Sequence, residues 1–480
     1  MDRVKKWLKR DLSENYICIR VLGFILLTLV LFIYSKTLNI RKYDYSAASY
    51  WNLADTFRPN GWFEFTNYVA SKRGYFFPFI LFCAKMFGSR YMTGDYTGFW
   101  LFHSLIWSWT ITVILPAIIG KKTSLKRWCI GTIVCFFLIV YFWRDLVAMP
   151  MSDGGGLIFF ATGVVFMKVL MSKRKIYLLI KLALAGSAGM LFYAAYNTRT
   201  IFLIPTIVAI IVYLFTVFWK RQYKDIFVVA AILIGFFVVS IPQVMINQVN
   251  FNSSTPMVIT TEGDKDNLFI AQLEWGLWIT HYETFIGEPE EYPSPQMVFT
   301  DKTGKMLVDS YQINSISDYI KCVLSHPIEM MGIYMEHAIS GITLFWNRIY
   351  ISHVPVNTIC YLLNTAVFML CVFSIITTKA DLSKIRFEQG FALLLFLSPA
   401  ICILPGAVET RFFIPVYLFA YACIAWGIDY VEIWCVYKKD WIKNTLFFAV
   451  AVLVWCMVSV NLLNKLEGVR LDLLGNVKYM

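Results

Sequence analysis

The sequence predicts an all-α polytopic membrane protein: a bundle of about eleven transmembrane helices, with amphipathic helices in two large extracytoplasmic loops. Three observations predict it. The 480-residue chain is 58% hydrophobic, with a mean hydropathy of +0.61. Only 15% of its residues are charged, where soluble chains average about 25%. The apolar residues gather in runs of about 20, the length that crosses a bilayer.

The elements follow in order. Met1 to Arg10 is basic, and the apolar run Tyr16 to Ser35 follows without a small-residue cleavage site. That pairing reads as a retained signal anchor. Further spans are expected near 97–119, 128–147, 153–171, 177–195, 200–219, 226–246, 355–377, 388–406, 412–434 and 443–464. The segment His326 to His353 is also apolar but carries Glu329, Glu336, His337 and Arg348. It reads as amphipathic and interfacial.

Charge sets the orientation. Basic clusters fall at alternate ends of the spans, at 121–127, 171–175, 220–224, 378–386 and 437–443, on the side of the basic N-terminus. That side carries 24 Lys and Arg against 9 Asp and Glu, a net of +15, and the other side a net of −3. Basic loops stay cytoplasmic, so the N-terminus is expected inside and the C-terminus outside. The +12 of the whole chain is thus topology, not a nucleic-acid footprint. One transmembrane domain, 1–464, then carries external loops at 36–96 and 247–354 and an external tail at 465–480.

The first loop spaces Tyr50, Leu53, Ala54 and Phe57 as a helix would, predicting helices on the membrane surface, in contact with lipid. GYFFPFILFCAKMFG (74–88) is too short to span and reads as a re-entrant or surface helix. EPEEYPSPQ (288–296) reads as loop. The 11 cysteines form no C-x-x-C pair, so neither a disulfide framework nor a structural zinc site is expected. Gly154–Gly156 follows no strand and suits close helix packing rather than a phosphate loop.

Ionisable residues near a membrane mark function by default. Here they collect at the external span ends: Asp44, Arg144, Asp145, Asp153, Arg199, Glu409 and Arg411, with His326 and His337 in the amphipathic segment. A bundle would bring these ends together. Arg199 and Arg411 can each grip a phosphate in a fork. A carboxylate such as Asp44 can take a proton from an attacking hydroxyl. The plain alternatives are solvated or paired acids, arginines on lipid headgroups, and structural histidines, since the two lack a metal-ligand spacing.

The order of these features resembles the GT-C superfamily of integral membrane glycosyltransferases. It is most similar to the bacterial branch of protein O-mannosyltransferases and aminoarabinose transferases. The matching stretches are YDYSAASYW (43–51), GYFFPFILFCAKMFG (74–88), SDGGGLIFFATGVVF (152–166) and ETRFFIPVYLFAYACIAWG (409–427). The resemblance implies a GT-C-like bundle in a plasma membrane, bacterial by branch. It implies inverting transfer of a sugar from a polyprenyl-phosphate-linked donor to an extracytoplasmic acceptor. It makes Asp44 the general base and Asp145 or Asp153 a second acid, near the acceptor or a divalent metal ion. It makes Arg411, with Arg199, the donor-phosphate site. No other cofactor is implied. Many members carry two adjacent acids in the first loop, whereas Tyr45 follows Asp44 here. The rival readings are an O-antigen polymerase or ligase, and a lipid or glycan transporter. The first loop and its acid favour transfer, and the near absence of mid-span charge and of internal repeats weighs against transport.

Overall fold

The computed structural model describes residues 2–480 except 60, 71, 120–123, 173–175, 220–224, 260–267, 286–295, 352–356, 378–386, 429–436, 464–468, 472–476 and 480. The basic clusters at 121–123, 173–175, 220–224 and 378–386, and most of the EPEEYPSPQ stretch, lie outside the described residues. Among the described residues, nine helices are long and apolar enough to cross a membrane. They are Ile17–Leu38, Asp95–Ile119, Leu125–Phe142, Ser152–Met171, Leu178–Thr198, Thr200–Trp219, Ile226–Phe251, Thr410–Gly427 and Trp441–Asn461. Two shorter apolar helices, Thr358–Phe373 and Phe387–Cys402, occupy two more of the expected span positions. The protein is a helical, multi-pass membrane protein.

Small residues set how closely the helices approach. A Cβ on Gly155 would lie 2.9 Å from the Phe77 ring, and one on Gly156 2.8 Å from Phe202. Aromatic rings from neighbouring elements therefore rest on the backbone of Ser152–Met171, as the packing reading of the triple glycine requires. That helix has Asp153 in its first turn, so its packing fixes where a carboxylate sits.

Three local features differ from the sequence reading. The span expected at 128–147 stops at Phe142. Trp143 leaves helical geometry at φ −130°, and a separate short helix, Arg144–Ala148, follows. The first loop does not simply lie on a surface. Its helix Tyr45–Leu53 buries Ala47, Tyr50 and Trp51, with Trp51 stacked on Tyr96 at 4.8 Å and Tyr50 edge-on to Phe77. The stretch 74–88 becomes the helix Phe76–Tyr91, packed inward through Phe77, Leu81, Ala84 and Gly88. Trp62 and Phe63 remain exposed.

The third difference is a sheet. Strands β1 (Ile279–Phe285), β2 (Gln296–Thr300), β3 (Tyr350–Ile351), β4 (Val469–Leu471) and β5 (Val477–Tyr479) pair in the order β3-β1-β2-β4-β5. β1 runs antiparallel to β2 and parallel to β3, with Thr284 opposite Tyr350. β1 and β2 are rich in β-branched and aromatic residues, which suit a pleated, half-buried surface. They are too short to register against the long apolar runs around them. Beside the sheet, Leu268–Trp278, Lys302–Tyr311, Ile316–Ser325 and Pro327–Ile342 form a helical cluster around Leu273, Leu307, Tyr319, Met330 and Ile333. Within the amphipathic segment 326–353, the described residues 326–351 form a helix of 16 residues followed by a non-helical stretch into β3.

Candidate functional site

Asp153, Arg199, Glu409 and Arg411 come together. Arg199 follows the last residue of the helix Leu178–Thr198, and its Nη1 pairs with Asp153 Oδ1. Arg411 Nη1 approaches Asp153 Oδ2 to 3.8 Å from the other side. Arg411 Nη2 lies 2.7 Å from Glu409 Oε2, at ion-pair distance. Phe412 sits beside both cations, its ring 4.6 Å from Arg199 Cζ and 5.7 Å from Arg411 Cζ. Stacking on an aromatic face holds a guanidinium without using its N–H donors. Arg411 Nε and Nη1 are buried and make no hydrogen bond.

β1 supports this cluster by its two-residue period. Glu409 and Thr410 are consecutive, and Glu409 is extended at φ −123° and ψ 140°, so their side chains diverge. Glu409 takes hydrogen bonds from Thr284, at 3.4 Å, and from Tyr282. Thr410 donates to Glu283, whose Oε1 also lies 2.9 Å from His281 Nε2. Tyr282 N donates to the Val408 carbonyl at 2.8 Å. The two faces of β1 thus hold two consecutive residues, Tyr282 and Thr284 on Glu409 and Glu283 on Thr410. Burial raises Glu409 to about 7, the Glu283 carboxylate adds to the rise, and Arg411 and Arg199 oppose it. A carboxyl titrating there changes the charge beside Arg411 near neutral pH.

Asp145 and Arg144 form a separate node. Asp145 is 2% exposed. Its Oδ1 lies 3.4 Å from Arg144 Nε and 3.5 Å from Arg348 Nη1, and its Oδ2 accepts from Ile349 N at 3.3 Å. The carboxylate is fully engaged in fixing the turn that leads into β3.

Asp44 differs from the other acids. It is half-buried, at the N-cap of Tyr45–Leu53, and its side chain makes no cap hydrogen bond. Among the described residues no cation pairs with it. Tyr350 links it to the arginine cluster: Ala47 N donates to Tyr350 Oη at 3.1 Å, and the Tyr45 ring meets the Tyr350 ring at 5.7 Å. The Tyr350 hydroxyl also feels Arg411 and Glu409.

The two histidines part company. His337 is buried below the 404–411 segment, where its Nδ1 meets the Leu404 carbonyl at 2.6 Å. Burial lowers its pKa to about 4, so it stays neutral at physiological pH. His326 lies apart from the cluster, in the junction of Ile316–Ser325 and Pro327–Ile342, with its ring against Tyr311 at 5.5 Å. Among the described residues no group of three or more His, Cys, Asp or Glu side chains could hold a metal ion. The clustered acids are taken up by arginines, so this donor set does not fit a metal.

Sequence reasoning missed His281, Tyr282, Glu283, Thr284 and Tyr350, which all reach the site from the sheet. The signal was the alternation in ITHYETF, hidden inside a loop that otherwise reads as irregular.

No family model, no curated protein and no solved structure matches this chain.

Proposed function

We propose that the protein is an inverting glycosyltransferase that moves a sugar from a polyprenyl-phosphate-linked donor to an acceptor at the outer face of a plasma membrane. The reading takes the bundle as GT-C-like, with eleven crossings. Contacts among the span ends fit that count. Asp44's helix, Asp145, Asp153, Arg199, β1, Glu409 and the tail strands β4 and β5 are joined by hydrogen bonds, ion pairs or strand pairing. They share one face only if crossings occur in even numbers between them, so Thr358–Thr377 and Phe387–Cys402 cross together or not at all, and this reading takes both as crossings. The basic loops are then cytoplasmic.

The single observation that carries the chemistry is a division of labour. Arg411 keeps Nε and Nη1 donors without a hydrogen bond beside Arg199, while Asp44 is an acid of the same region whose side chain makes no cap hydrogen bond and pairs with no cation among the described residues. Phosphate binding needs free guanidinium donors. A base needs a free lone pair, and Asp145, Asp153 and Glu409 have theirs engaged. Asp44 removes the proton from the acceptor hydroxyl as its oxygen attacks the anomeric carbon. The bond from that carbon to the phosphate oxygen breaks with inversion. The leaving phosphate gains negative charge, which Arg411 and Arg199 stabilise. Asp153 and Glu409 hold the two cations in position before the donor arrives.

Binding of a polyprenyl-phosphate sugar to the purified protein in lipid discs tests this reading. Arg411→Gln should weaken binding by about tenfold or more, the scale of losing a charge-assisted fork. Unchanged binding would remove Arg411 from the donor site.

A further inference from the structure

We infer that Arg73 is a third anion-binding residue of this site and that the donor's lipid is joined through a diphosphate, the second phosphate resting on Arg73. The inference rests on the transferase reading and specifies its substrate class.

Arg73 belongs to none of the pairs described so far. It is half-buried, just ahead of the helix Phe76–Tyr91. Its guanidinium lies over the Tyr50 ring, with Cζ 4.4 Å from the centroid. Nη1 reaches the Ser46 carbonyl at 3.4 Å. Among the described residues no carboxylate pairs with it. A cation held on a ring face, with one weak hydrogen bond, keeps most of its donors for a ligand.

The backbone brings it to the cluster. A Cβ on Gly74 would lie 2.0 Å from the Asn197 carbonyl oxygen, so only glycine permits this approach. Asn197 Oδ1 also accepts from Phe76 N at 2.8 Å. The Tyr68 hydroxyl donates to the carbonyls of Arg73 and Gly74 at 3.1 and 3.0 Å. The segment 73–76 is thereby pinned to the end of the helix that delivers Arg199. The ionisable groups around Arg73 are tyrosines: Tyr50, Tyr68 and Tyr350. Tyr350 lies in the field of both Arg73 and Arg411, and Tyr50 in the field of Arg199.

Counting charge and donors gives the ligand. Asp153 and Glu409 stand at ion-pair distance from Arg199 and Arg411, and Arg73 adds a positive charge that no carboxylate among the described residues pairs with. The fork of Arg411 can take two oxygens of one phosphate. A further cation on a different element, over Tyr50 and in the field of Tyr350, offers its donors to the oxygens of a second phosphate. A diphosphate supplies both the extra charge and the reach. The bond that breaks is still the one from the anomeric carbon to the adjacent phosphate oxygen, and the lipid diphosphate leaves with the electron pair.

The test compares farnesyl phosphate with farnesyl diphosphate, binding to the full chain in lipid discs. Wild type should prefer the diphosphate by about tenfold or more. Arg73→Gln should bring that ratio close to unity, and Arg73→Lys should fall between. Arg411→Gln should weaken both lipids and keep the ratio. Three outcomes overturn the proposal: no preference in wild type, a ratio unchanged in Arg73→Gln, or an equal loss for both lipids in Arg73→Gln, which marks a packing role. If neither lipid binds wild type, or Arg411→Gln affects neither, the phosphate site itself fails and the transferase reading falls with it.

Discussion

Arg199 and Arg411 meet on one carboxylate, Asp153: Arg199 pairs with Oδ1 while Arg411 Nη1 stands 3.8 Å from Oδ2. Two cations this close repel unless an anion lies between them. Asp153→Asn keeps the shape and removes the anion. Loss of a buried partner costs about 3–5 kcal/mol. Arg199 is about a quarter exposed, so solvent screening lowers the expected loss to about 1–3 kcal/mol. It should appear as a reduced thermal midpoint in detergent. An unchanged midpoint would mean that Asp153 does not neutralise the pair.

Glu409 makes donor binding depend on pH. A sugar phosphodiester does not titrate near neutrality, so the protein's groups set the dependence. Glu409 is raised to about 7. Below that value it is neutral and the Asp153–Arg199–Arg411–Glu409 group carries one positive charge; above it the group is neutral. Binding of the diester should therefore tighten several-fold from about pH 8 to about pH 6. Glu409→Gln should flatten that dependence. The same raised carboxyl lowers fold stability as pH rises from its unfolded value to about 7, because the folded state then holds the extra proton. Titration curves of ligand affinity for both proteins check the sign. A dependence that survives in Glu409→Gln would place the titrating group elsewhere.

Gly155 supports the site from behind. Gly155→Val would drive methyl groups into the Phe77 ring, which is already 2.9 Å from where a Cβ would stand. Overpacking of this kind costs about 1–3 kcal/mol. Thermal unfolding should show that loss, and Phe77→Ala in the same chain should restore part of it by opening space.

Tyr350 carries the link between Asp44's helix and the arginines. Its hydroxyl accepts from Ala47 N at 3.1 Å. Tyr350→Phe keeps the ring contact with Tyr45 and deletes that acceptor. The expected result is a fall in kcat of about tenfold, with donor affinity within about twofold of wild type, since the hydroxyl positions the base rather than the phosphate. An equal fall in affinity would make Tyr350 part of the donor site.

Much of this site was legible in the sequence, and the reason is depth. Asp153, Arg199, Glu409 and Arg411 each stand at the end of an apolar run. A bilayer forces such ends to a common level, so burial cost picks them out without any contact information. Asp145 and Arg144 were picked out by the same logic, yet they form a second node with Arg348. Sequence position gives depth and not direction around the bundle. The sheet was illegible because β3 has two residues and β1 lies in a long polar loop. Pairing across such distances is decided by tertiary contact, not by local pattern. His326 was misleading because a histidine between two short helices packs locally against Tyr311. His337, on the helix that follows, is instead buried against the Leu404 carbonyl.

The central claim is that Asp44 is the base of a sugar transfer driven from a lipid phosphate. The direct measurement is release of free lipid phosphate from polyprenyl mono- and diphosphate sugars by the protein in lipid discs. It is run with a cell-envelope acceptor fraction, wild type beside Asp44→Asn. The account predicts release by wild type and a loss of about 100-fold or more in the variant, with donor binding and thermal midpoint retained. Equal release by both proteins would contradict it.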